Sequence, residues 1–127
     1  MSLSTLKKGK DFWGEPVWIS IHSFAAVYKP EHAAAFKAFM NSLPSLLPCE
    51  ACRQHLAQHL KRIPMDKYLS NNHDLFYWSY ILHDAVNQEH NKHAAKGVPL
   101  KYSPPYDDVK SKYFKALSDY CAECKAV

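Results

Sequence analysis

The chain reads as an all-α helical bundle. Apolar residues recur every three or four positions through four or five separate segments, and these segments are joined by short connections that carry proline. A third observation agrees: three glycines in 127 residues supply strand-and-turn architectures poorly.

Pro16 suits the first turn of a helix, where its missing N–H costs nothing, and Val17, Trp18, Ile21, Phe24, Ala25 and Tyr28 follow at helical spacing. Lys29-Pro30 ends that helix. Glu31 to about Leu43 forms a second, with good intrinsic propensity and a stripe that includes Phe36, Phe39, Met40 and Leu43. Pro44 and Pro48 bracket a connector before a third helix from Cys49 to Lys61, which Pro64 closes. Asn71-Asn72-His73-Asp74 supplies N-cap residues for a long fourth helix through Leu75, Trp78, Ile81, Leu82 and Val86, ending near Lys92. His93 to Pro105, with Gly97 and three prolines, reads as an ordered but irregular connection. A last helix runs from Tyr106 or Asp107 to about Tyr120 and presents Val109, Tyr113, Phe114 and Leu117.

This length predicts one domain over residues 1–127, with 1–11 and 119–127 as flexible tails. Apolar residues make up 47% and charged residues 22%, an ordinary globular composition. The formal charge of +4 arises from lysines and arginines spread along the whole chain, without the clustering of a nucleic-acid surface. No stretch approaches the roughly 20 apolar residues needed to cross a bilayer, and no apolar run follows the charged N-terminus as in a secretory signal. The expectation is a soluble, unsecreted protein with neither nucleic acid nor membrane as partner. In a reducing compartment stable disulfides are rare, so a Cys-x-x-Cys there is catalytic or metal-binding more often than structural.

Two such pairs occur, Cys49/Cys52 and Cys121/Cys124. At i and i+3 on a helix, Cβ atoms lie about 5–6 Å apart, within small adjustments of disulfide geometry. The first pair opens a helix, where unpaired N–H groups and the macrodipole favour a thiolate. The second lies close to the C-terminus and suits a shuttle that exchanges with the inner pair. Four cysteines also suggest zinc, but Cys52 and Cys121 are separated far beyond the roughly 15–20 residues of two-knuckle ribbons. Cys52, His55 and His59 form a weaker helical ligand set, and the predicted metal content is none. A thioredoxin-type site needs a βαβ context that these helices do not provide.

Trp18 and His22 share one helix face, and His83 and Asn87 share another. A bundle that sets these faces opposite each other, with a slot between, offers flat rings and hydrogen-bonding groups to a ring-shaped redox cofactor, and Lys92 offers a charge to a phosphate.

Taken in order, Trp-Gly-x-x-x-Trp-x-x-x-His (Trp13 to His22), Cys-x-x-Cys and His-x-x-Val-Asn with a lysine five residues on resemble the Erv/ALR family of FAD-dependent sulfhydryl oxidases. The resemblance runs from about Phe12 to Lys92 and looks most like the short versions of large DNA viruses. It implies a four-helix bundle with an additional short C-terminal helix, FAD held within the bundle, and a homodimer. By position, Cys49 matches the interchange thiol and Cys52 the thiol beside the flavin. Gly14, Trp18, His22, Tyr28, His83, Asp84, Val86, Asn87 and Lys92 match cofactor-binding positions, and Tyr106 or Tyr102 the residue stacked on adenine. Cys121 and Cys124 resemble the family's tail shuttle. Asp84 departs from the usual Asn, and the additional disulfide of cellular relatives has no cysteines here.

The activity implied is thiol oxidation: electrons pass from dithiol protein substrates, or a thioredoxin-like carrier, through Cys49 and Cys52 to FAD and then oxygen, giving hydrogen peroxide. Host cytoplasm or virion is the matching location for a viral member. The rival readings are a zinc-stabilised helical binding module and an interaction bundle without chemistry.

Overall fold

The computed structural model describes residues 7–118, and over these it is all-helical, with no strand. Five α-helices follow in order: α1 (Lys10–Ala26), α2 (Ala33–Leu46), α3 (Glu50–Arg62), α4 (Asn72–His93) and α5 (Tyr106–Ala116). Two 3₁₀ turns, Pro30–His32 and Asp66–Tyr68, sit in the connections. None of these helices is long and apolar enough to cross a membrane. Cys121 and Cys124 lie outside the described residues.

Helix α4 is the central element. Leu75, Phe76, Trp78, Ser79 and Leu82 are all buried, so it meets neighbours on more than one side. Its start is set by Asn71, whose side-chain oxygen accepts from the Asp74 amide at 2.8 Å. Asn72 Nδ2 donates to the Ala26 carbonyl at 2.8 Å, joining the start of α4 to the end of α1. Later pairs, His22 with Ser79 and Trp18 with His83, step the opposite way along the two helices. α1 and α4 are therefore antiparallel. α2 packs on α3, α3 on α4, and α5 closes against α1 and α4 with Phe114 fully buried.

Two helices run further than the sequence predicts, both through a proline. α1 begins at Lys10, so Pro16 is its seventh residue rather than part of its first turn, and Lys10 and Asp11 belong to the helix instead of a tail. Pro16 cannot donate to the Phe12 carbonyl. Trp13, Val17 and Ile21 nevertheless continue one stripe of four-residue spacing onto the core, which holds the upstream turns. α2 likewise continues through Pro44 to Leu46, because Met40, Leu43 and Leu47 are all buried and the stripe does not stop at the ring. α5 is shorter than expected and ends at Ala116.

The connection from Ala94 to Pro105 is irregular but tied down. Asn91 bonds both the carbonyl and the amide of Lys101 at 2.7 Å, and the Tyr80 hydroxyl donates to the Pro104 carbonyl at 2.6 Å. It lies along α4 and forms one rim of the main cleft.

Candidate active site

A cleft of about 1090 Å³ opens between α1, α3, α4, α5 and the 94–105 connection. Cys49 and Cys52 stand on its α3 wall, joined as a disulfide with Cα atoms 5.2 Å apart. Pro48 and the extended backbone of Cys49 make Cys49 the N-cap of α3. Its sulfur accepts from the Cys52 amide at 3.2 Å, so a thiolate formed there faces an N–H group and the positive end of the helix. The two sulfurs are not equivalent. Cys52 packs against the core, whereas Cys49 sits at the cap, outside that cluster.

The α1 and α4 wall is built from rings in direct contact. Trp18 stacks on His83 with centroids 3.9 Å apart and planes within 4°, and His22 lies beside both. The predicted slot between these two faces is therefore absent, since 3.9 Å admits no third ring. The helices approach closely through Ala25 and Ala26, both fully buried, and the open space lies beside the stack, towards α3.

A chain of hydrogen bonds fixes the imidazoles. The Ser79 hydroxyl donates to the Phe76 carbonyl at 2.6 Å, so its oxygen accepts from His22 Nδ1 at 2.8 Å. His22 Nε2 then carries a lone pair and accepts from His83 Nδ1 at 2.9 Å. His83 is left with Nε2 as an acceptor. Burial holds both rings neutral: it pushes the His22 pKa down to about 3, assisted by His83 and Lys112. The His83 pKa falls to about 4, by burial and then Lys101, with Asp84 opposing.

Gly14, Trp18, His22, His83, Val86, Asn87, Cys49 and Cys52 all line this cleft. Five residues expected at the cofactor, Tyr106 and Tyr102 among them as alternatives, do not. Tyr28 is buried, but its hydroxyl donates to the Leu69 carbonyl at 2.8 Å and its ring packs edge-on against Phe36, outside the cleft. Tyr106 is held edge-on between Tyr77 and Tyr80, each 5.2 Å away, and Tyr102 is exposed. Lys92 is exposed on α4 and away from the lining. Asp84 sits behind the rim, accepting from Ser103 at 2.8 Å and from Gln88 at 2.7 Å.

Several lining residues escaped the sequence reading. Tyr113 of α5 approaches the His22 ring at 5.2 Å, Ser103 accepts from Asn87 at 3.1 Å, and Lys101 and Lys112 border the opening. Glu89 joins His59 and His93 at the C-terminal end of α4. No local signal singled out Glu89, and the others arrive from elements far away in the chain.

An all-helical chain that sets a Cys-x-x-Cys disulfide on the wall of a ring-lined cleft defines a dithiol–disulfide protein of the helical-bundle class. A model of the Erv1 / Alr family matches residues 15–107, and the chain belongs to that family. It is 33% identical over 101 residues to a protein of Invertebrate iridescent virus 3 named "Putative FAD-linked sulfhydryl oxidase 096R", covering 75% of this chain and 68% of that one. A FAD-linked sulfhydryl oxidase of African swine fever virus is 32% identical over 85 residues, 63% of this chain and 69% of its own length. A relative in Acanthamoeba polyphaga mimivirus is 34% identical over 80 residues, 59% and 56% of the two chains. No solved structure matches at comparable significance.

Proposed function

We propose that this chain is a FAD-linked thiol oxidase that makes disulfides in dithiol protein substrates. The observation that carries the reading is the Cys49–Cys52 disulfide on the wall of the ring-lined cleft, in a chain of the Erv1 / Alr family. The residues present fit the cofactor. The cleft reaches the upper end of the usual range for small-molecule sites, and the stacked Trp18 and His83 give it a flat apolar wall. Asn87, His83 and Ser103 supply hydrogen-bonding groups, and Lys101 and Lys112 supply positive charge for a diphosphate. When bound, FAD supplies a two-electron acceptor that passes those electrons on to oxygen.

The protein's part is disulfide exchange. A substrate thiolate attacks Cys49 Sγ, the sulfur not packed against the core, forming a mixed disulfide and releasing Cys52 as thiolate. The second substrate thiolate attacks the substrate sulfur of that mixed disulfide. Cys49 leaves as a thiolate, held by the Cys52 amide and the α3 dipole, and the substrate departs oxidised. Cys52 remains on the cleft wall, where the two electrons are given up and the disulfide is restored. Cys121 and Cys124 relay electrons from substrate to Cys49 in this reading, and the chain works as a homodimer. The viral relatives suit an oxidase operating where the host supplies none.

Purified protein is expected to be yellow with a flavin spectrum. Cys52→Ser is expected to keep the flavin and to lose oxygen uptake with dithiothreitol; full turnover in that variant overturns the assignment. Replacing Cys121 and Cys124 with Ser is expected to slow oxidation of a folded protein substrate more than oxidation of dithiothreitol. Equal effects on both would remove the relay.

A further inference from the structure

Glu89 and His93 lie six and ten residues beyond His83, which is roughly 9 and 15 Å further along α4. Opposite them, on α3, stand His55 and His59. Each helix therefore contributes two ligating side chains one turn apart on one face. We propose that His55, His59, Glu89 and His93 bind one divalent transition-metal ion, zinc foremost, which ties α3 to α4 at this end of the cleft.

Three of the four already converge. One ligand atom each from His55, Glu89 and His93 lies within 4.8 Å of the other two. A tetrahedral zinc with bonds of about 2.0–2.1 Å needs ligand atoms roughly 3.4 Å apart, so side-chain rotation within the cluster closes the gap. His93 now donates to Glu89 at 2.7 Å and stacks in parallel on His55, with planes within 7°. The same nitrogen of His93 turns to the ion when the carboxylate does.

An independent observation concerns His59. Its side chain is more than nine-tenths buried, and its Nε2 has no hydrogen-bond partner. The nearest acid oxygen, Glu89 Oε1, is 3.8 Å away, beyond hydrogen-bond reach. A carboxylate that merely neutralises nearby histidines accounts for His93 but leaves this nitrogen unexplained. Buried ring nitrogens are ordinarily bonded, and an orphan facing the carboxylate around which His55 and His93 already gather marks the place of an ion.

The donor set decides the class of ion. Three imidazoles and one carboxylate suit zinc, copper, nickel or cobalt and are too soft for magnesium or calcium, which take oxygen ligands. No thiolate belongs to the set, so the site is compatible with a working Cys49–Cys52 pair. Its ligands come from α3 and α4 alone, and the inference stands whether or not flavin binds.

The chain, purified with whatever flavin it holds and stripped of metal by a chelator, is titrated with Zn²⁺ by calorimetry and with Co²⁺ in the visible range. One Zn²⁺ per chain is expected, together with the visible bands of four-coordinate Co²⁺ and no thiolate charge-transfer band. His55→Ala with His93→Ala is expected to weaken Zn²⁺ about 100-fold or more, given that outer-shell changes alone reach that size. Glu89→Gln, which preserves shape, is expected to weaken it at least about tenfold if the double variant fails to fold. Cys121→Ser with Cys124→Ser leaves binding unchanged. No Zn²⁺ uptake in the micromolar range overturns the site, as does affinity untouched by these ligand changes. A thiolate band, lost with the cysteine variant, also overturns it and assigns the ion to cysteine. Flavin absorbance in the same sample reports separately on the oxidase reading: colourless protein that takes up zinc breaks that reading and leaves this one.

Discussion

Two groups of histidines line one cleft, and they are built in opposite ways. Near the middle of α4, His22 and His83 are closed into a chain with Ser79 in which each shared nitrogen has a partner and no charge is present. Further along, His55, His59 and His93 gather around Glu89, and one buried nitrogen has no partner. The first group is a wall, fixed by its own hydrogen bonds. The second is a set of ligands arranged around an acid. The difference shows that the same side chain serves rigidity where its neighbours are neutral donors and acceptors, and capture where its neighbour is a carboxylate.

Acid gives the largest expected separation between the two groups. An imidazole whose folded pKa lies below its unfolded value of about 6.5 binds fewer protons folded than unfolded, so its contribution to stability is present above that pH and is lost as pH falls towards the folded value. For His22 and His83, with folded values of about 3 and 4, the loss between pH 7 and pH 5 is on the order of 2 kcal/mol each. Urea unfolding of metal-free protein at the two pH values measures it. His22→Leu is expected to flatten that dependence, and an unchanged slope would show that the neutral chain is not what acid attacks.

His22→Leu tests the same comparison at neutral pH. The substitution fills most of the space but strips partners from Ser79 and His83, and an unsatisfied buried group costs about 1–3 kcal/mol. A destabilisation of about 3 kcal/mol is expected by urea unfolding. His93→Ala, whose side chain is 58% exposed, is expected to cost under about 1 kcal/mol without metal. Equal losses at both positions would erase the contrast.

The parts of this arrangement that the sequence reveals are those written within one helix turn. Trp18 with His22, His83 with Asn87 and Cys49 with Cys52 each share a face, so their placement follows from helical spacing. The Asn71 cap marks the start of α4 for the same local reason. Prolines misled, because Pro16 and Pro44 act on one backbone bond each, while the stripes through Val17 and Leu43 are held by burial that the local rule does not weigh. Tyr28 sits at the right spacing for the α1 stripe, but a carbonyl 41 residues away claims its hydroxyl. Ser79 looks like any serine on a helix until the fold brings His22 to it from 57 residues away. Direct ring stacking between α1 and α4 depended on how closely two helices approach, which small residues such as Ala25 permit but do not announce.

Ser79 carries a small effect on stability and the most discriminating one on the hydrogen-bond chain. Its hydroxyl hydrogen is committed to the Phe76 carbonyl, and that single commitment propagates: His22 must donate through Nδ1, His83 must donate to His22, and His83 Nε2 is left bare. Ser79→Ala removes the acceptor for His22 while leaving the packing nearly intact, so the expected loss of stability is about 1 kcal/mol. The informative readout is the tautomer. Imidazole ¹⁵N shifts of the wild type are expected to place the hydrogen on Nδ1 in both rings, and Ser79→Ala is expected to give a mixture, since His22 then loses its reason to prefer Nδ1. Ser79→Thr restores the hydroxyl and is expected to restore the single tautomer. A mixture in the wild type, or a single tautomer that survives the loss of the hydroxyl, would show that the order of this wall comes from ring packing against Trp18 rather than from the hydrogen-bond chain.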